Sequence, residues 1–184
     1  LQIYKNSFPR KLYYFVPVFR YERSQKGTFR EFWQLGIEYF GADQPLGEAE
    51  VIDTIAQCLD ALKIKDYFFK ISNLSLIYDF LTTMGIKEED IEAVAYKVRF
   101  AKSENDIQKY LANYGGNDVL VSRLLNLRSK LLSIRNAKKI LIDLRRDFPG
   151  LERSIVKTLA FFEVFEELGL AQKVEVDFKL MRGT

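Results

Sequence analysis

The chain has 184 residues, 48% hydrophobic and 29% charged, a composition that excludes disordered and collagen-like classes and allows one compact core, or a core plus a small satellite domain. No run approaches the roughly 18 consecutive apolar residues of a membrane span, and the start lacks a signal-peptide apolar region, so no membrane partner is expected. A single cysteine (Cys58) and no histidine exclude a disulfide framework, a structural zinc site and any internal Ser-His-Asp or Cys-His mechanism, and fit a reducing cytoplasm, while a net charge of +3 is too small to diagnose nucleic-acid binding by itself.

Lys11 to Glu22 reads as a β-strand, rich in aromatic and β-branched residues. A polar segment from Arg23 to Thr28 follows, with Gly27 suited to a turn, and Phe29 to Phe40 is a second strand-like run. The simplest reading is a long antiparallel hairpin. After a loop containing Pro45, a helix opens at Glu48 with apolar positions at Val51, Ile52, Ile55, Ala56, Leu59 and Leu62. A short strand over 67–72 is next. Beyond Asn73 the period becomes helical, as at Ile91, Val94, Ala95 and Val98 and at Ile140, Leu141 and Leu144. Residues 151–169 predict a further helix and Val174 to Met181 a last strand. The expected domains are a core over 1–74, a helical insertion over 75–150, and a return helix and strand of the core over 151–184.

Strand parity picks out candidate functional residues. On the second strand Trp33, Leu35, Ile37 and Tyr39 form an apolar face expected to pack inward. The opposite face carries Arg30, Phe32, Gln34, Gly36 and Glu38, and Arg20 and Glu22 can join it from the first strand. An ordinary solvated face would account for any one of them. It accounts poorly for the set, since glycine weakens an exposed strand and Phe32 gains little there. A pocket for a nucleotide and an amino acid needs these groups. Arginine can bridge a phosphate, a ring can stack on a base, and an amide and a carboxylate can hold an ammonium group.

The string Phe19-Arg20-Tyr21-Glu22, a short loop, and Arg30-Glu31-Phe32-Trp33-Gln34-Leu35-Gly36-Ile37-Glu38 resembles motif 2 of the class II aminoacyl-tRNA synthetases. Continued through Arg23-Ser24-Gln25-Lys26-Gly27 it is similar to the histidyl-tRNA synthetase version. Val176-Asp177-Phe178-Lys179-Leu180-Met181-Arg182-Gly183 resembles the start of that family's arginine-glycine motif. The resemblance is strong over 11–56 and 174–183 and weak between.

It implies an α+β fold, a class II synthetase-type antiparallel sheet flanked by helices, with an α-helical insertion domain. It implies ATP-dependent activation of histidine and transfer to tRNA(His), with Mg2+ carried by the ATP, no protein metal site, and a homodimer. By position, Arg20 would bind the α-phosphate, Glu22 the adenine amino group and Phe32 the adenine ring. Gln34 and Glu38 would hold the histidine α-amino group, Arg182 would be a second, fixed catalytic cation, and Arg23, Gln25 and Lys26 would approach the tRNA acceptor end. Thr28 departs from the family, which usually has an arginine there. Motif 1, motif 3 and the anticodon-binding domain are absent, the first residue is Leu1, and the sequence stops just after Arg182-Gly183. These 184 residues are therefore expected to be a fragment that does not aminoacylate alone. The alternative is the synthetase-like regulatory subunit of ATP phosphoribosyltransferase, a histidine sensor.

One further feature concerns charge. From Val119 to Arg146 there are eight basic residues, Arg123, Arg128, Lys130, Arg135, Lys138, Lys139, Arg145 and Arg146, against the single acidic Asp143, a net +7. Such a segment can bind phosphates through counterion release, or can simply be a solvated helical face.

Overall fold

The fold is described from a computed structural model covering residues 8–21, 23, 25–101, 103–115 and 117–180. The chain divides into two compact units, 1–58 and 59–184.

In the first unit, β1 (Arg10–Phe19) and β2 (Glu31–Phe40) form an antiparallel hairpin, with Tyr14 opposite Gly36, Val16 opposite Gln34 and Val18 opposite Phe32. The Arg20 amide donates to the Arg30 carbonyl at 2.9 Å, extending the ladder one step beyond the strands. The connection tightens at Gln25–Thr28, where the Thr28 amide donates to the Gln25 carbonyl at 3.0 Å and Gly27 takes φ +85°. That is the left-handed conformation a type II turn requires at its third residue. Helix α1 (Leu46–Ala61) follows, with Ala49 and Ala56 buried, and Glu50 forms an ion pair with Lys11 of β1.

The expectation that Trp33 and Leu35 pack inward is not met: they are 63% and 58% exposed. A two-stranded hairpin has no second layer of its own. Helix α1 meets this face at its Lys11 and Tyr39 end, and Trp33 has Phe15 as its neighbour, with ring centroids 4.8 Å apart.

Among the described residues, the second unit is built on a small sheet and six α-helices. β3 (Phe69–Ile71) pairs in parallel with β5 (Val174–Val176), whose other edge takes the two-residue β4 (Leu132–Ser133) in antiparallel register. Between β3 and β4 come α2 (Leu74–Thr83), α3 (Glu88–Phe100), α4 (Glu104–Ala112) and α5 (Asp118–Arg128). After β4 come α6 (Ile134–Asp147) and α7 (Glu152–Glu167). Asn73 caps α2 by accepting from the Ser75 amide at 2.9 Å, and its Nδ2 donates to the Thr158 hydroxyl at 2.7 Å, tying α2 to α7. The core gathers Leu76, Ile77, Phe80, Leu124, Phe162 and Phe165. At the edge, the Tyr67 hydroxyl lies 2.7 Å from Lys173 Nζ and holds that ammonium above its ordinary pKa.

The last strand stops earlier than its sequence suggests. Asp177 Oδ1 accepts from the Lys179 amide at 2.9 Å, and the Leu180 amide donates to the Asp177 carbonyl at 3.0 Å. This local carboxylate-to-backbone bond turns the chain after Val176. Phe178, within the turn, is fully buried.

Candidate functional site

The hairpin register decides which side chains can act together. Directly opposed residues of an antiparallel pair point to the same face. Phe32, Gln34 and Glu38 of β2 therefore share a face with Tyr14, Val16 and Val18 of β1, and Arg20 joins them from the end of the ladder. Within it Arg20 Nη2 donates to Gln34 Oε1 at 2.7 Å, and Gln34 Nε2 donates to the Tyr14 hydroxyl at 2.6 Å. The Arg20 guanidinium stands 5.2 Å from the centroid of the Phe32 ring. These side chains cover one another, so Phe32 and Gln34 are half-buried although the face is polar.

Gly36 has a specific role in this arrangement. A Cβ there would overlap the Tyr14 ring, which lies directly over the glycine. The glycine thus gives Tyr14 room to lie across the strand and reach Gln34. Glu38 is exposed on the same face, two face positions beyond Gln34, with no hydrogen-bond or ion-pair partner among the described residues.

The structure thus brings together Arg20, Phe32 and Gln34, and leaves Glu38 on the same face further along. Arg23, Gln25 and Lys26 are exposed in the connection. Arg30 stacks on Tyr21, with its guanidinium carbon 4.9 Å from the ring centroid. Glu22 and Arg182 lie outside the described residues. Tyr14 was missed by the sequence reading, which assigned the first strand's aromatics to structure; placing Arg20 opposite Arg30 would have set Tyr14 over Gly36.

The basic segment is less free than its charge suggests. Arg123 pairs with Asp147 at 3.4 Å, Lys138 with Glu166 at 2.7 Å and Arg145 with Glu152 at 2.6 Å, while Arg146 faces Asp143 and Asp147. Most of these acids lie beyond the segment in sequence and are folded back onto it. Arg128 is 5% exposed and donates to the Val98 carbonyl at 3.1 Å. Its Nε and Nη1 have no hydrogen-bond partner among the described residues, and burial pushes its pKa down against the opposing influence of Asp177 and Glu104. Lys130, Arg135 and Lys139 remain as exposed cations without an ion pair among the described residues.

An α+β chain with a long antiparallel hairpin, one face of which aligns arginine, phenylalanine, glutamine and glutamate, has the architecture of a class II synthetase catalytic region. The family model described as Histidyl-tRNA synthetase matches residues 2–184, and the chain belongs to that family. It is 30% identical over 183 residues to a histidine–tRNA ligase of Pyrobaculum islandicum, covering 98% of this chain and 42% of the relative. It is 28% identical over 189 residues to the corresponding ligase of Sulfolobus acidocaldarius, covering 100% and 43%. The chain thus spans less than half the length of these relatives. Two solved structures share the fold at a TM-score of 0.78. One is histidyl-tRNA synthetase from Nostoc sp. PCC 7120, with 20% identity, 99% of this chain and 43% of that one covered. The other is described as an ATP phosphoribosyltransferase regulatory subunit/histidyl-tRNA synthetase from Bacillus halodurans C, with 19% identity and coverages of 98% and 46%.

Proposed function

We propose that the protein activates histidine with ATP and transfers it to tRNA(His), and that this chain supplies the face that holds the reacting groups. The observation that carries the reading is the grouping of Arg20, Phe32 and Gln34 on one side of the hairpin, in a chain of this family. In the first step the histidine carboxylate attacks the α-phosphorus of ATP, pyrophosphate leaves, and histidyl-adenylate forms. The adenylate then passes its acyl group to the terminal ribose hydroxyl of the tRNA, and AMP leaves.

Each residue has a chemical reason for its part. Negative charge grows on the phosphoryl oxygens in the first transition state. A guanidinium, cationic at any relevant pH, stabilises that charge without reorganising, and Arg20 has this role. Arg182 is the second cation by its place in the family motif. Phe32 offers a face for adenine, with Glu22 at the adenine amino group. Gln34 Oε1 and the Glu38 carboxylate are acceptors for the histidine ammonium. Positioning in line provides much of the remaining acceleration, with no covalent enzyme intermediate. The Mg2+ travels with the ATP, and the dimeric, cytoplasmic setting of such enzymes is part of the same reading.

The test is histidine-dependent exchange of labelled pyrophosphate into ATP by the intact protein. Exchange above background is expected with histidine and not with the other amino acids. A second reading, the regulatory subunit of ATP phosphoribosyltransferase, is favoured by Thr28, which stands in the loop where an arginine is usual. Histidine binding without any exchange would select it and end the first.

Within the basic segment, exposed Lys130, Arg135 and Lys139 are the cations left to meet the tRNA backbone. Changing all three to glutamate is expected to weaken tRNA binding and to reduce its salt slope by about one unit per lost phosphate contact, with exchange unaffected. Filter binding across a salt series measures this. An unchanged slope would mark them as ordinary solvated charges.

A further inference from the structure

The polar face is engaged with itself. Gln34 is an amide with two ends, and both are committed: Oε1 accepts from Arg20 at 2.7 Å and Nε2 donates to Tyr14 at 2.6 Å. A guanidinium has no acceptor, so Arg20 fixes which end of the amide faces it. That orientation is also the one an ammonium ligand needs, because an ammonium group binds an acceptor and Oε1 is the amide's only one. The acceptor is therefore correctly aimed, with one of its two lone pairs taken by the Arg20 cation.

We propose that the Arg20–Gln34 hydrogen bond couples phosphate binding to ammonium binding, and that Tyr14 is the positioning residue that maintains the coupling. This rests on the reading of Arg20 as the phosphate ligand and Gln34 as an ammonium ligand. A nucleotide phosphate draws Arg20 off Gln34, so that the ammonium group meets Oε1 without a second cation on the same oxygen. Two cations competing for one amide oxygen become one, so the amino acid binds better once the nucleotide is bound, and by linkage the nucleotide binds better once the amino acid is bound. When Arg20 leaves, the Tyr14 hydroxyl alone keeps the amide from rotating. The Tyr14 ring is held over Gly36, where any other residue's Cβ would displace it, so this hydroxyl has a fixed position.

The experiment titrates the intact protein with histidine by calorimetry, alone and with saturating α,β-methylene ATP, for the natural protein and Tyr14→Phe. The natural protein is expected to bind histidine about five-fold or more tightly when the analogue is present, the lower end of ordinary coupling between sites. Tyr14→Phe keeps the ring and removes the hydroxyl. Its affinity for histidine alone should change little, while the gain from the analogue should fall towards one-fold. A general loosening of the site would lower both affinities and leave their ratio intact, so the ratio isolates positioning. Equal coupling in both proteins would overturn the role of Tyr14, and independent binding of the two ligands in the natural protein would overturn the coupling while leaving the proposed function standing. Failure of the natural protein to bind either ligand would remove both.

Discussion

Arg20→Ala is expected to lower the rate of histidine-dependent pyrophosphate exchange by about 10²–10³-fold, the usual loss when one preorganised donor to a developing oxyanion is removed. The reasoning is local. Arg20 lies at the end of the β1 ladder, held by its own amide on the Arg30 carbonyl, with its guanidinium over Phe32 and bonded to Gln34. Its side chain is exposed and carries none of the core, so the substitution should leave the unfolding transition of the protein in place. A large loss of rate with an unchanged melting temperature separates a transition-state contact from a folding defect. Exchange within a few-fold of the natural rate would show that charge on the phosphoryl oxygens is met elsewhere, and the assignment of Arg20 would fail.

The largest expected effect on stability comes from Phe178→Ala, at about 3–5 kcal/mol, the range for emptying a buried aromatic site. Phe178 is fully buried, although it sits in a turn rather than in a strand or helix. The turn is closed on both sides: the Asp177 amide donates to the Ile71 carbonyl at 2.9 Å, and the Asp177 carboxylate accepts from the Lys179 amide. With its backbone so fixed, the segment has little freedom to collapse into the space the ring leaves, which favours the upper part of the range. Urea unfolding followed by circular dichroism measures the change. A loss under about 1 kcal/mol would mean that the neighbouring side chains close over the site.

What could be recognised from sequence, and what could not, follows from the range of the interactions concerned. The hairpin, α1 and α7 are legible because alternation and helical spacing are local properties of the chain, and Arg20, Phe32, Gln34 and Glu38 fall on one face by parity alone. The family resemblance rests on the same contiguous strings. The less regular elements were harder. The two residues of β4, inside a segment expected to be helical throughout, acquire strand form only by pairing with β5, more than 40 residues away.

Residue types and their alternation determined on their own that a cation, a ring, an amide and a carboxylate would share one side of a hairpin. Only the tertiary structure decided what those groups do to one another. Tyr14 lies over Gly36 and reaches Gln34 because of cross-strand register, and Gln34 is held by Arg20 from 14 residues away. Tertiary structure likewise decided that Trp33 and Leu35 are exposed, that Arg128 is buried, and that half of the basic residues of the segment are paired with acids, most of them from beyond it. Periodicity is carried by neighbours along the chain, whereas burial and charge pairing depend on which distant segments meet, and no local pattern encodes that.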